Sequence, residues 1–133
     1  MTRSLDELLA DAEARIRRYT PAEAQSADAA LVDIRSQDAR EHDGAIPGAY
    51  HVPRTVLEWR VASDAWRNHD LDGRALILVC DHGYSSVLAA ATLVALGRDA
   101  GDLAGGVEAW RNAGLPVTTA RAWDGLPGTG PPD

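Results

Sequence analysis

Residues 75–96 read Ala-Leu-Ile-Leu-Val, then Cys-Asp-His-Gly-Tyr-Ser, then Ser-Val-Leu-Ala-Ala-Ala-Thr-Leu-Val-Ala-Leu. Residues 75–79 are the most apolar run of the chain and show no alternation, which is typical of a central parallel strand buried on both faces. Residues 86–96 predict a buried helix that ends at Gly97. Because only six residues separate the two, the stretch predicts a strand, a tight loop and a helix in immediate succession.

The rest of the chain continues this alternation. Ser4 and Glu7 have capping-box spacing at the start of one helix, and Thr20 with Pro21 predicts the start of another. Strands are expected over residues 30–34, 50–52 and 100–103, and helices over residues 4–18, 20–25, 36–42, 56–67 and 107–112. This order predicts an α/β fold with a largely parallel sheet. The Gly- and Pro-rich end is either packed in extended form, held by Trp123, or frayed.

Composition excludes several classes of function. The 133 residues fit one domain, and all 13 basic residues are arginine, so no lysine can serve in a P-loop, a Schiff base or as a general base. The single cysteine, Cys80, excludes intramolecular disulfides, Cys-x-x-Cys redox centres and cysteine-rich zinc sites. A net charge of −7 and a pI near 4.9 argue against nucleic acid or an anionic membrane as a partner.

The N-terminal segment has no apolar run behind its charged residues, so a secretory signal is not expected. No stretch approaches the roughly 18 apolar residues of a membrane span. We therefore expect a cytoplasmic protein whose Cys80 stays reduced.

Cys80 follows the central strand, at the edge where parallel sheets bind ligands. The loop after it is short and must curl back, and Gly83 gives it the necessary backbone freedom. A curled loop points its amide N–H groups inward, and the following helix adds its positive end. This setting stabilises a thiolate, lowering the cysteine pKa from about 8.5, and suits transfer of sulfur or phosphoryl groups. The alternative is a buried, inert thiol that ends a core strand.

Three stretches resemble one known family. Residues 31–35 (Leu-Val-Asp-Ile-Arg), with Glu41 and residues 44–49 (Gly-Ala-Ile-Pro-Gly-Ala), are similar to an Asp-x-Arg, Glu and Gly-His-Ile-Pro-Gly-Ala string, with Ala45 where His is usual. Residues 80–86 are similar to the active-site loop Cys-x-x-Gly-x-Arg-Ser. Residues 103–117 look like the closing Gly-Gly, Trp and Gly-x-Pro-Val motif. Together, in this order, they resemble the rhodanese-like domains, a family of sulfurtransferases.

The resemblance implies a five-stranded, mainly parallel sheet between helices in three layers, with an extra N-terminal helix. It divides the chain into an N-terminal extension (1–18), a rhodanese-like domain (19–118) and a C-terminal tail (119–133). Cys80 would carry sulfur as a persulfide, taken from a small donor and passed to a thiol or protein acceptor, without a cofactor or metal. Asp33 and Arg35 would support the site, and the persulfide would rest on the loop formed by Asp81, His82, Gly83, Tyr84, Ser85 and Ser86.

The loop departs from the family pattern in its charges. Ser85 stands where many members have arginine, so one neutral hydroxyl replaces a guanidinium that could bind an anionic donor. Asp81 puts a negative charge beside the thiolate unless its carboxylate turns outward. We therefore expect thiosulfate, a dianion, to be a poor donor. A phosphatase needs arginine where Ser86 stands, which argues against that activity.

Other interpretations of the function and of single residues remain open. The chain can be a non-catalytic binding or regulatory module, or a thiol redox sensor, although it has no resolving cysteine. Asp33 and Arg35 suit an ion pair at a strand end better than substrate binding. Trp110 is expected in the core and Tyr84 pointing outward. His82 can donate a proton or simply face solvent, and the four histidines lack metal-ligand spacing.

Overall fold

The computed structural model describes residues 2–122 and 125–133 and confirms the predicted parallel sheet. Its five strands lie in the spatial order β1-β5-β4-β2-β3, and each strand pairs with its neighbour in parallel. The strands are β1 (Arg18–Tyr19), β2 (Ala30–Asp33), β3 (Tyr50–His51), β4 (Leu76–Val79) and β5 (Ala100–Leu103). The most apolar run of the sequence is thus the central strand of the sheet.

Helices cover both faces of the sheet. Leu76 and Leu78 pack into one apolar core, whereas Ile77 and Val79 pack into a second core on the opposite face. This two-sided burial explains why the β4 sequence shows no alternation. The helices are α1 (Leu5–Arg15), α2 (Pro21–Ser26), α3 (Gln37–Asp43), α4 (Leu57–Ala62), α5 (Ser85–Ala95) and α6 (Gly106–Asn112), with short 3-10 helices at Arg54–Val56 and His69–Leu71. Among the described residues, no helix has the length and hydropathy needed to cross a membrane.

The first helix begins as predicted but ends earlier. Ser4 caps it, and Ser4 and Glu7 form the expected capping box. The helix stops at Arg15 rather than Arg18 because the next residues join the sheet: the Asp102 amide donates to the Arg17 carbonyl, and β1 pairs with β5. Helix α1 then packs against α5.

The helix expected over residues 56–67 is shorter than predicted. It ends at Ala62, where Ser63 adopts an extended conformation and its hydroxyl accepts from the Trp66 amide. The Arg60 guanidinium donates to the Trp66 carbonyl, so the chain folds back instead of continuing the helix. Trp66 consequently stays largely exposed.

The C-terminal segment packs on the domain where it is described. The carboxylate of Asp133 pairs with the buried guanidinium of Arg40, and the carbonyl of Gly128 accepts from the Asn68 side chain. Trp123, expected to hold this segment, lies outside the described residues. The contacts of residues 125–133 favour the packed, extended alternative.

Candidate active site

The loop from Cys80 to Tyr84 joins the carboxyl end of β4 to the start of α5 at Ser85. Gly83 has φ of +82°, in the left-handed region that glycine adopts without strain. A Cβ on this residue would also lie only 2.6 Å from the Gly105 nitrogen. Both observations explain why the curl of the loop requires glycine, as predicted.

The Cys80 thiol lies inside this curl, with 6% of the residue exposed. The Gly83 amide donates to Sγ at 3.1 Å, and the thiol donates to the Ser86 hydroxyl oxygen at 3.2 Å. Burial raises the pKa of Cys80, but hydrogen bonding with the Ser86 and Ser85 side chains and with the Ser86 and Gly83 amides outweighs it, so the pKa lies below the ordinary value. The site therefore favours a thiolate despite its burial, unlike that of an inert core cysteine.

A chain of buried polar groups lies behind the sulfur. The Ser86 hydroxyl donates to Asp102 Oδ2 at 2.7 Å, and Asp102 is fully buried on β5. Arg18 donates through Nε to Asp102 Oδ1 at 3.0 Å and through Nη2 to Oδ2 at 3.2 Å. The same Nη2 donates to the Gly83 carbonyl at 2.8 Å, so this network also fixes the loop.

Arg18 and Asp102 are not among the residues that the sequence predicts for the site. One signal was present in the sequence: Asp102 is the only charged residue of the strand predicted over residues 100–103, Ala-Gly-Asp-Leu. A buried carboxylate requires a partner, which makes such a residue a candidate for a polar network.

Helix α6 holds the other side of the loop. The Val107 amide donates to the Cys80 carbonyl at 2.9 Å, and the Glu108 amide donates to the Asp81 carbonyl at 3.1 Å. Gly106 has φ of +63°, and a Cβ there would collide with the Cys80 and Asp81 carbonyl groups. Gly106 thus lets the loop lie directly on the start of the helix.

Three predicted loop residues face away from the sulfur. The Asp81 carboxylate is 44% exposed and lies 3.9 Å from Arg35 Nη1, so it turns outward. His82 Nδ1 lies 2.7 Å from Glu108 Oε2 at the surface. Tyr84 is 74% exposed, which confirms the expected outward orientation. Of the predicted loop residues, Gly83 and Ser86 hydrogen-bond the Cys80 sulfur, and the Ser85 side chain helps to lower the Cys80 pKa.

Asp33 and Arg35 form the buried ion pair expected at the end of β2. Arg35 donates through Nε at 3.0 Å and through Nη2 at 2.8 Å to the two carboxylate oxygens, and both side chains are 1% exposed. Among residues 2–122 and 125–133, the Arg35 Nη1 group, the one nearest Asp81, finds no hydrogen-bond partner. Trp110 packs in the core as expected, with its indole N–H donating to the Pro116 carbonyl at 2.8 Å.

A cavity of about 470 Å³ lies beside the loop. Its lining combines three carboxylates with one guanidinium and one imidazole, contributed by Asp43, Asp81, Glu108, Arg111 and His82. Within the part of the chain that the structure describes, no three His, Cys, Asp or Glu side chains are grouped so that they could hold a metal ion.

Comparison with known proteins extends these observations. A family model described as a rhodanese-like domain matches residues 19–113. The thiosulfate sulfurtransferase GlpE of Pseudomonas syringae is 39% identical over 100 residues, which cover 71% of this chain and 87% of the relative. The GlpE protein of Pseudomonas putida is 44% identical over 94 residues, covering 70% and 78%. A Rhodopseudomonas palustris protein of unknown function, described as a possible tyrosine phosphatase, superposes with a TM-score of 0.79 at 31% identity, covering 88% of this chain and 96% of its own.

Proposed function

This chain belongs to the rhodanese-like domain family, and we propose that it moves a sulfane sulfur from a donor to a thiophilic acceptor through a persulfide on Cys80. The observation that carries the proposal is the setting of Sγ, which accepts a hydrogen bond from the Gly83 amide at 3.1 Å within a curled loop. The Pseudomonas relatives, named thiosulfate sulfurtransferases, support the same class of reaction.

The transfer proceeds in two displacements. The Cys80 thiolate attacks the outer sulfur of the donor, an S–S bond to Cys80 forms, and the donor's own bond to that sulfur breaks with the electron pair on the leaving group. A thiolate or cyanide acceptor then attacks the outer sulfur of the persulfide and returns Cys80 as a thiolate. Backbone amides such as that of Gly83 stabilise the anionic sulfur, since charge-assisted hydrogen bonds are stronger than neutral ones.

The loop argues against phosphatase chemistry, which the description of the Rhodopseudomonas palustris protein raises. Stabilising a phosphoryl oxyanion requires an arginine that faces the reacting group. At the corresponding position this chain has Ser86, whose hydroxyl donates to Asp102 instead. The guanidinium groups of Arg18 and Arg35, which contact loop residues, are held by buried carboxylates.

We propose further that thiosulfate is a poor donor for this chain. The cavity beside the loop carries the carboxylates of Asp43, Asp81 and Glu108, which repel a dianion. For the second displacement, we propose a small thiol or a protein thiol as the acceptor. Because the reaction needs a free thiol, we assign it to a reducing compartment, the cytoplasm.

The test is the intact mass of the protein after incubation with thiosulfate, a polysulfide, a mercaptopyruvate-type donor and peroxide, each in a separate reaction. We expect one added sulfur with at least one sulfane donor, removal of that sulfur by cyanide or a thiol, and no adduct in Cys80→Ser. Since Cys80 is the only cysteine, the variant identifies the modified atom without ambiguity.

Other outcomes contradict parts of the proposal. An unmodified mass with every sulfane donor favours a binding module, and a sulfenic acid or mixed disulfide formed only with peroxide favours a redox sensor. A thiosulfate:cyanide rate equal to that of the Pseudomonas syringae GlpE protein, assayed alongside, overturns the donor assignment while leaving sulfur transfer intact.

A further inference from the structure

The Ser86 hydroxyl carries one hydrogen, and two acceptors lie within its reach. Its oxygen is 2.7 Å from Asp102 Oδ2 and 3.2 Å from Cys80 Sγ. A hydroxyl can donate to one of these groups at a time, while its lone pairs accept from the other. The direction in which Ser86 points its hydrogen therefore determines whether it stabilises the thiol or the thiolate of Cys80.

We propose that Asp102 is a positioning residue that draws the Ser86 hydrogen away from Cys80, so that Ser86 offers the sulfur a lone pair and opposes part of the stabilisation that the loop amides give the thiolate. When the thiolate forms, the hydroxyl must turn from Asp102 to stabilise it. The Ser86–Asp102 hydrogen bond therefore disfavours negative charge on Sγ. This penalty is smaller in the persulfide, because its negative charge lies on the terminal sulfur. Asp102 thus favours the sulfur-loaded form of the site over the bare thiolate.

Three observations support the preference of Ser86 for Asp102. A hydrogen bond to a carboxylate is shorter and stronger than one to a neutral thiol, in agreement with the 2.7 Å and 3.2 Å distances. Arg18 binds both carboxylate oxygens, so Asp102 cannot rotate away. Asp102 is fully buried, so no solvent competes for its oxygens.

The other charged groups near the loop do not take part in this competition. Arg35 pairs with Asp33 on the opposite side of β4, and His82 pairs with Glu108 at the surface. Asp81 turns outward. The second acidic partner of Arg18 is Glu13, with Oε1 3.7 Å from Nη1, and Glu13 makes no hydrogen bond to Ser86. These groups remain unchanged in the variants below, apart from Glu13, which serves as a control.

The central experiment measures the pKa of Cys80 in Asp102→Asn from the pH dependence of alkylation by iodoacetamide. Loss of the carboxylate charge leaves the Ser86 hydrogen for the thiolate, so we expect the pKa to fall by about one unit relative to the unmodified protein. Thermal unfolding of the variant, followed by circular dichroism, establishes that it remains folded. An unchanged or raised pKa overturns the proposal.

Two further variants separate the proposed route from simpler ones. Glu13→Gln removes an acidic partner of Arg18 without touching Ser86, so we expect no change in the Cys80 pKa. A fall equal to that in Asp102→Asn would assign the effect to Arg18 alone and overturn the role of Ser86. Asp102→Asn in a Ser86→Ala background should lower the pKa by less than in the unmodified background, whereas equal shifts also overturn that role.

Ser86→Ala alone keeps the proposal testable if Asp102→Asn does not fold. If the hydrogen of Ser86 belongs to Asp102, the substitution removes only an acceptor for the Cys80 thiol, so the pKa of Cys80 falls or stays the same. If the hydrogen belongs to the sulfur, the pKa rises by about one unit and the proposal fails. The inference rests on the proposed function of Cys80 as the nucleophile. Because these experiments titrate the thiol directly, they give a result whether or not the protein transfers sulfur.

Discussion

At the level of single residues, the positive potential around Cys80 comes mainly from neutral groups. The chain has no lysine, and Arg18 and Arg35, which contact the loop, are bound by Asp102 and Asp33. The Gly83 amide and the start of α5 face the sulfur instead. Under the proposed function, this site stabilises a single anionic sulfur, while the guanidinium groups of Arg18, Arg35 and Arg111 already pair with carboxylates. We therefore expect the acidic residues around the loop to influence which donors approach.

Asp81→Asn tests that role of acidic residues. Its carboxylate is 44% exposed at the cavity beside the loop, where we expect it to repel an approaching dianion. We expect kcat/KM for thiosulfate to rise about fivefold, as expected for removing one partly screened charge near the reactants. Steady-state transfer to cyanide measures this change.

Asp99→Asn is the matched control for Asp81→Asn. Asp99 is exposed and immediately precedes β5, at the amino edge of the sheet, so the substitution changes the net charge equally but far from Cys80. Its kcat/KM for thiosulfate should stay within twofold of the unmodified protein, a small change as expected from screening. Equal gains in both variants would assign the effect to net charge rather than to Asp81.

At the level of the elements, the site depends on how closely the loop lies on α6. The Val107 and Glu108 amides donate to the Cys80 and Asp81 carbonyls, and this contact is feasible only because Gly106 has no side chain. Strand β5 supplies Asp102 from beneath, and β1 supplies Arg18. The curled loop is therefore held by hydrogen bonds from one helix and one strand in addition to its own glycine.

Gly106→Ala should impair both folding and catalysis. A left-handed φ costs about 1–2 kcal/mol for a residue with a Cβ, and here the Cβ also collides with the loop carbonyls. We expect the free energy of unfolding in urea to fall by more than this amount, and kcat/KM for sulfur transfer to fall at least tenfold, because the loop must move off the helix.

The control for Gly106→Ala lies at the other end of the same helix. Gly114 has φ of +75° and open space around its Cβ position, so Gly114→Ala carries the backbone cost without the collision. It should lower stability by about 1–2 kcal/mol and leave the transfer rate unchanged. If Gly106→Ala also retains the rate, the contact between the loop and α6 does not shape the site.

The parts of the site that the sequence predicts are those encoded locally. The strand, Cys80, Gly83 and the helix follow one another within residues 75–96, so periodicity and glycine chemistry are sufficient to place them. The link between Arg18 and Asp102 spans 84 positions of the chain. This ion pair forms because β1 lies beside β5, and the sequence at the end of the first helix does not predict that pairing.

The orientation of Asp81 in the loop is a second feature that the sequence alone does not predict. From the sequence, Asp81 is adjacent to the thiol and can oppose the thiolate, but its effect depends on the direction of one side chain. The carboxylate turns outward toward Arg35, which follows the neighbouring strand β2, rather than toward the sulfur. Arg35 is itself positioned by Asp33, so two buried residues outside the loop set the orientation of a third within it.

At the level of the whole molecule, this buried network links the site to the stability of the fold. His51 on β3 places Nε2 2.8 Å from the Arg35 carbonyl oxygen, behind the Asp33–Arg35 pair. Burial lowers the pKa of His51 below 6.5, outweighing the hydrogen bond to Arg35, which raises it.

Two other carboxylates affect stability only at lower pH. A hydrogen bond with His42 lowers the pKa of Asp43 from 3.8, and one with Arg67 lowers the pKa of Asp72 from 3.8. The contribution of these two carboxylates to stability is present above pH 3.8 and is lost only at more acidic pH.

His51 therefore makes folding sensitive to mild acid. Below pH 6.5 the unfolded chain protonates this imidazole while the folded protein resists protonation, so the free energy of unfolding falls as the pH decreases toward the folded pKa. We expect His51→Gln, which keeps an N–H donor, to reduce this decline in urea unfolding followed between about pH 7 and pH 5. Above about pH 7.5 the imidazole is neutral in both states, so the curves of the two proteins should run parallel. An unchanged slope in the variant below pH 6.5 would show that His51 is accessible to protons in the folded state.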